Sequence, residues 1–217
     1  MKKHIFIILI CFQASLSGGL LDSARQEQFF TEMTEQLESV QSFKAEFEQK
    51  RFLSIMSEPL VSQGKCSFQV PDKLRWEITK PYSSILIYNE DQVVKFEIEK
   101  GKLKKLNFGS ADMMRSVLQQ IISWMQGDFR ASEDLYLIQV TQDKNFIMLL
   151  TPKSDELRKN IQVIELHFEA DSFDMQKVVI RESEQDYIQI GFNSKQENLV
   201  LPPKVFDLKK PLIEQSK

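Results

Sequence analysis

The stretch "CSFQVPDKLRWEITKPYSSILIYN", residues 66–89, decides the fold of this 217-residue chain. Within it, "KLRWEIT" alternates polar with apolar side chains, and the apolar set is Leu74, Trp76 and Ile78. A period of two is typical of a strand with one apolar and one solvated face. A proline stands at each end of this segment, where a strand best tolerates a missing N–H. The pattern predicts that Arg75 and Glu77 face water.

The same alternation continues on both sides of this stretch. It covers "FKAEFEQKRF" and "GKCSFQV" before it, and "SSILIYN" and the hairpin "QVVKFEIEKGKLKKLNF" after it. Beyond residue 127 follow "DLYLIQV", "NFIMLLTP", "IQVIELHF", "MQKVVIRES" and "DYIQIGF". We therefore expect eleven or twelve short strands, and connections of hairpin length make neighbouring strands antiparallel. So many antiparallel strands in one domain curl into a barrel or fold into two sheets.

Two segments have the helical period instead. Residues 22–41 place one apolar stripe on a helix, formed by Phe29, Met33, Leu37 and Val40. A second helix is predicted between Ser110, a good N-cap, and Gly127, a good C-terminal stop. Its apolar face is rich in methionine, which suits surfaces that accept varied apolar shapes but also fills ordinary cores. Periodicity alone leaves both interpretations open.

The first residues have the layout of a secretory signal peptide. "MKKHIFIILICFQASLSGG" begins with two lysines, continues with an apolar run over residues 5–12 and ends in small residues. The apolar run is shorter than the roughly 20 residues that span a bilayer. We expect residues 1–18 to be cleaved and residues 19–217 to form a single exported domain, which is periplasmic in a cell with two membranes.

Composition argues against catalysis and nucleic-acid binding. The net charge is −3, from 28 Lys and Arg against 31 Asp and Glu, and the charges are evenly mixed. After the leader, the one histidine is His167, and the one cysteine is Cys66 on the apolar side of its strand. A zinc site of the usual type and an internal disulfide are therefore not available. Nucleophile-elbow and phosphate-loop motifs are also absent, so we expect no enzyme activity, cofactor or metal.

The order of these elements resembles a known family. The stretch "VQSFKAEFEQKRF…EPLVSQGKCSFQVPDKLRWEITKPYSSILIYNEDQVVKF" is similar to the N-terminal half of the periplasmic outer-membrane lipoprotein carriers, the LolA-like proteins. Near the end, "FNSKQENLVLPPKVFDL" is similar to the family's closing segment, in which a Pro-Pro pair follows an apolar strand. The resemblance covers nearly all of the chain after the leader.

The resemblance implies both an architecture and a function. It implies an incomplete antiparallel β-barrel whose concave hydrophobic face is covered by helices that act as a lid. It implies a soluble, monomeric carrier that shields the acyl chains of lipoproteins between the inner and outer membranes. Its partners would be acylated lipoproteins, an inner-membrane ABC transporter complex and an outer-membrane lipoprotein receptor. The residues expected to line the cavity are Phe47, Phe68, Leu74, Trp76, Ile78, Leu86, Met114, Val117, Leu118, Ile121 and Met125.

One position departs from the family pattern. Family members have an arginine immediately before the proline that corresponds to Pro71, and that arginine ties the lid helix shut. Here the residue is Val70, so either the lid lacks this contact or another residue closes it. This departure keeps open a LolA-like protein that binds, transports or senses another lipid, such as a glycolipid or polyene-type lipid. A third interpretation is a structural or interaction module with a filled core and no cargo.

Overall fold

The structure is a computed structural model that describes residues 19–106 and 111–213, with backbone alone for residues 111–117. The helices are α1 (Ser23–Leu37), α2 (Ala111–Met125) and α3 (Asp155–Arg158). The first seven strands are β1 (Gly19–Leu20), β2 (Ser42–Phe52), β3 (Leu60–Gln69), β4 (Lys73–Lys80), β5 (Ser84–Asn89), β6 (Gln92–Glu99) and β7 (Lys102–Leu106). The others are β8 (Tyr136–Gln142), β9 (Phe146–Pro152), β10 (Val163–Phe168), β11 (Met175–Arg181) and β12 (Tyr187–Glu197).

All twelve strands belong to one antiparallel sheet. Its order is β1-β8-β9-β10-β11-β12-β2-β3-β4-β5-β6-β7, so β1 and β7 are the edges and the sheet is not closed into a barrel. The middle of the sheet joins the two ends of the chain, because β2 pairs with β12 and Phe47 lies opposite Phe192. The prediction of an incomplete antiparallel barrel with helices is confirmed, with twelve strands.

The helices pack on one face of this sheet. Helix α1 buries Phe29 and Met33 against the inward side chains of β8, β9 and β10. The C-terminal part of α2 adds Trp124 to that cluster and Leu118 to a second one over β2, β3 and β4. Helix α1 ends four residues earlier than predicted, because the chain turns after Leu37 to enter β2.

The opposite face of β4, β5 and β6 is also covered. Residues 199–213 lie across it, and Leu201, Val205 and Phe206 pack there on Ile85 and Ile87. Such strands are buried on both faces, which explains the nearly unbroken apolar run of "SILIY" in β5.

The prediction that Arg75 and Glu77 face water is wrong. Their exposed fractions are 3% and 4%. The two side chains form an ion pair of 2.8 Å, and Arg75 also donates to the main-chain oxygens of Val205 (3.1 Å) and Leu212 (2.7 Å). Alternation correctly places both residues on the outer face, but a segment more than a hundred residues away keeps water from that face.

Candidate functional site

The floor of the concave face is aromatic. The rings of Phe47 and Trp76 stack with centroids 4.0 Å apart, and Phe192 meets Trp76 edge-on at 6.2 Å. Gly64 allows this arrangement, because a Cβ there would lie 2.3 Å from the Phe47 ring and 2.2 Å from the Glu77 carbonyl oxygen. The missing side chain on β3 therefore lets a ring from β2 lie flat across the neighbouring strand.

Nine of the eleven residues predicted to line the cavity meet in the cluster that holds this floor. Phe47, Phe68, Leu74 and Leu118 are buried in it. Trp76, Ile78, Leu86, Ile121 and Met125 are half-buried against it. The other two, Met114 and Val117, lie outside the residues whose side chains are described. The buried members fill space between sheet and helix, whereas the half-buried ones keep surface that a ligand could contact.

A cavity of about 400 Å³ opens beside this cluster. It lies between the C-terminal ends of α1 and α2 and the strands β10, β11, β12 and β2. Its apolar lining consists of Leu37, Phe43, Ala45, Trp124, Met125, Phe168, Phe173, Met175 and Phe192. Among the predicted residues with described side chains, only Met125 lines it. Sequence reasoning placed Phe43 and Ala45 on the face of Phe47 but had no means of bringing β12 next to β2.

The cavity has a charged rim on β12. The pairing of β12 with β2 shifts register between Asn193 and Gln196, and Ser194 has a φ of 53°. This irregularity turns Lys195 toward the cavity, where its ammonium group bonds to Asp174 and lies 2.5 Å from a Glu197 oxygen. Burial lowers the pKa of Lys195, but its bonds to these two carboxylates outweigh burial and raise the pKa. The rim is therefore a fixed, charged border around an apolar interior.

Amide side chains tie α2 to the sheet. Gln126, just after the helix, donates to the Pro71 carbonyl oxygen at 2.5 Å. Gln119 donates to Asp91 at 3.0 Å, at the turn between β5 and β6. Val70 is half-buried in the apolar cluster, and its aliphatic side chain has no group that could form such a hydrogen bond. Gln126 thus supplies a contact between α2 and the Pro71 corner, where the family arginine would act.

Two titratable groups outside the cavity have shifted pKa values. On the outer face of β10, Glu165 accepts from Arg181 at 2.6 Å and lies 3.2 Å from the Nε2 atom of His167. Burial raises the pKa of Glu165, but these two bonds outweigh it and lower the pKa. Cys66 is fully buried in the apolar cluster, and burial raises its pKa to about 12. In the described ranges, no group of three or more His, Cys, Asp and Glu side chains could hold a metal ion.

Several solved structures are similar to this chain. The complex of MucA and MucB from Pseudomonas aeruginosa matches 84% of this chain and 60% of its own, with 12% identity and a TM-score of 0.51. The lipoprotein LppX from Mycobacterium tuberculosis matches 83% of this chain and all of its own, with 9% identity and a TM-score of 0.46. A putative outer membrane lipoprotein-sorting protein domain from Vibrio parahaemolyticus matches 85% and 97%, with 7% identity and a TM-score of 0.42. At 12% identity, the likeness to the complex of MucA and MucB shows the fold alone.

The sequence itself identifies the family. A search of curated proteins finds no match. No helix in residues 19–106 or 111–213 is both long and apolar enough to cross a membrane. The family described as "LolA: Outer membrane lipoprotein carrier protein LolA" matches residues 38–209, which is most of the chain. This protein therefore belongs to the LolA family.

Proposed function

We propose that the protein is a carrier that shields the acyl chains of lipoproteins during their transfer from the inner to the outer membrane. The observation that carries this proposal is the apolar cavity of about 400 Å³ beside an aromatic floor that is only partly buried, in a chain of the LolA family. Each methylene removed from water is worth about 0.8 kcal/mol, so one long acyl chain gains on the order of 12 kcal/mol from such a site. Cargo with several chains cannot cross water without an escort.

The cavity size bears on how cargo enters. A volume of about 400 Å³ lies at the lower end of the roughly 300–1,000 Å³ typical of small-molecule pockets. In this arrangement it suits one acyl chain. A second or third chain requires α2 to move off the floor, which breaks the bond from Gln126 to Pro71 and exposes the surfaces of Trp76, Ile78 and Leu86. We assign the half-buried floor residues and the lining of the cavity to acyl-chain contact.

The wider setting follows from the same proposal. Residues 1–18 are a cleaved signal peptide and residues 19–217 the working domain, which acts in the periplasm as a monomer. It receives acylated lipoproteins from an inner-membrane ABC transporter complex and delivers them to an outer-membrane receptor. It is not an enzyme, has no cofactor and binds no nucleic acid.

One observation favours a second candidate function. Val70 stands where family members have the lid arginine, and the contact to the Pro71 corner is made by a neutral amide instead. A hydrogen bond to a charged group is worth roughly 1.5–3 kcal/mol, against about 1 kcal/mol for a neutral one. A weaker contact stabilises the closed, empty state less, so a bound ligand has less tendency to leave. Longer retention suits a protein that binds, transports or senses another lipid, such as a glycolipid or a polyene-type lipid.

The test is to identify the ligand and then perturb its site. The mature protein is purified from its host, copurifying lipids are identified by mass spectrometry, and binding of a triacylated peptide is measured. Met125→Gln places a polar group in the cavity lining and should weaken that binding about tenfold. Leu137→Gln, at an exposed position on β8, is the matched control and should change nothing. Binding of a non-protein lipid without uptake of the peptide would favour the second candidate, and no ligand at all would favour a filled-core interaction module.

A further inference from the structure

The hairpin between β2 and β3 presents an apolar tip to solvent. Ile55 is 90% exposed and Met56 44%. Leu60 and Val61, at the start of β3, are also exposed. An isolated exposed aliphatic residue is ordinary on a protein surface, but four such residues in one hairpin favour a contact surface.

The tip is held in one shape by hydrogen bonds. The Ser54 N–H donates to the Asp186 carboxylate at 2.7 Å, which anchors the loop to the turn between β11 and β12. The Met56 N–H donates to the Leu53 carbonyl oxygen at 2.9 Å and closes a turn. The chain therefore holds Ile55 and Met56 outward rather than letting them fold back on the sheet.

The tip also projects beyond its neighbour in the sheet. Strand β4 pairs with β3 from Gln63 onward, whereas β2 pairs with β3 as far as Leu60. At about 3.3 Å per residue, these three positions alone carry β3 about 10 Å past the end of β4, and the loop extends further. Tyr82, in the turn that follows β4, is 86% exposed and lies at the same end of the sheet.

Basic residues flank the tip. The hairpin of β6 and β7 adjoins the turn that contains Tyr82, because the Ile98 N–H donates to the Ser83 carbonyl oxygen at 3.0 Å. The lysines on this flank are Lys80, Lys100, Lys102, Lys104 and Lys105. Two glutamates oppose them, Glu97 and Glu99, and both contact Lys104. This flank therefore carries a net positive charge, whereas the hairpin itself carries Glu58 and the turn between β11 and β12 on its other side is acidic, with Glu182, Glu184 and Asp186.

We propose that the β2–β3 hairpin tip inserts into the surface of a bilayer with anionic headgroups. The residue types match the layers of a membrane surface in order. The aliphatic side chains at the tip would meet acyl chains, the tyrosine at its base would lie in the interface, and the lysines behind them would meet phosphates. Strand alternation puts Leu60 on the same face as Gly64 and Cys66, so this residue extends the concave face to the end of the sheet that carries the tip. This surface is separate from the cavity and does not depend on its cargo.

The experiment is co-sedimentation of the mature protein with vesicles. One set contains phosphatidylglycerol and phosphatidylethanolamine, and the other contains phosphatidylcholine alone. The variant I55S/M56S should lower the partition coefficient at least about tenfold on the anionic set. L137S/V200S removes two exposed aliphatic groups elsewhere and is the matched control, with no expected change. K100Q/K102Q should weaken binding about tenfold on the anionic set at low salt.

The outcomes separate cleanly. All the variants change exposed residues, so their thermal midpoints should equal that of the wild type. The proposal is overturned if the wild type stays in the supernatant with anionic vesicles, if I55S/M56S sediments like the wild type, or if the tip crosslinks to a receptor protein but to no vesicle. Uptake of triacylated peptide is measured in parallel. Peptide uptake without vesicle binding contradicts the membrane-insertion proposal and leaves the carrier function intact. Vesicle binding without peptide uptake contradicts the carrier function and leaves the membrane-insertion proposal intact.

Discussion

Replacing Glu77 by glutamine tests the covered outer face most directly. The change keeps the size of the side chain but leaves the Arg75 guanidinium buried without a counterion. Glu77 accepts two bonds from Arg75, at 3.1 and 2.8 Å. Removing one partner of a buried ion pair typically costs about 3–5 kcal/mol, which is large for a single substitution. For a chain of this length we expect the thermal midpoint to fall by roughly 6–20 °C.

The assay is urea unfolding of the mature protein, followed by fluorescence. Glu48→Gln is the control, because Glu48 forms a solvent-exposed 3.0 Å pair with Lys50 and such pairs contribute little to stability. The double variant R75M/E77L should be more stable than Glu77→Gln alone, since no charge is left uncompensated. If Glu77→Gln costs no more than the Glu48→Gln control, Arg75 is solvated and the burial argument is refuted.

Three further predictions concern other sites. Because Cys66 is fully buried and burial raises its pKa to about 12, a water-soluble maleimide should label the native protein far more slowly than the urea-unfolded chain; equal rates would contradict this. Burial raises the pKa of Glu165, but its bonds to Arg181 and the neighbouring histidine outweigh burial and lower the pKa. The ionised carboxylate therefore stabilises the fold at neutral pH, and this contribution is lost as pH falls below the usual glutamate pKa of about 4.3. Arg181→Gln should flatten the free energy of unfolding plotted against pH in that range, and an unchanged slope would argue against the pair. Gln126→Leu removes the hydrogen bond to Pro71, which contributes about 0.5–1.5 kcal/mol, and should speed uptake of a fluorescent acyl probe about two- to twelvefold in stopped-flow measurements. An unaltered rate would show that this bond does not hold α2 closed.

Much of the sheet could be predicted because alternation is local. Leu74, Trp76 and Ile78 share one face in the structure, as their spacing predicts. The same rule could not predict the burial of Arg75 and Glu77, since what covers a strand's second face comes from elsewhere in the chain. The apolar run in β5 was the available signal that these strands have two buried faces.

The cavity was harder to predict than the fold. Its walls come from β2, β10, β11 and β12, together with the ends of two helices, and Phe43, Phe168 and Phe192 meet through pairings between distant segments. The inward turn of Lys195 depends on a local irregularity of β12 that has no clear signature in the sequence. The site residues were predicted from the alternation of side chains along the strands. Alternation identifies the face on which a residue lies but not the position of the cavity on that face.

The pairing of β2 with β12 also determines how this chain can fold. Strands β2 to β7 pair in sequence order, and so do β8 to β12, so each set forms through contacts that are short along the chain. Joining them is different, since Phe47 meets Phe192, 145 positions later. Contacts of such long range slow folding, because the entropy of closing the loop is lost before the contact is gained. A chain that ends before residue 187 would contain two separate sheets, and only synthesis of the last strand unites them.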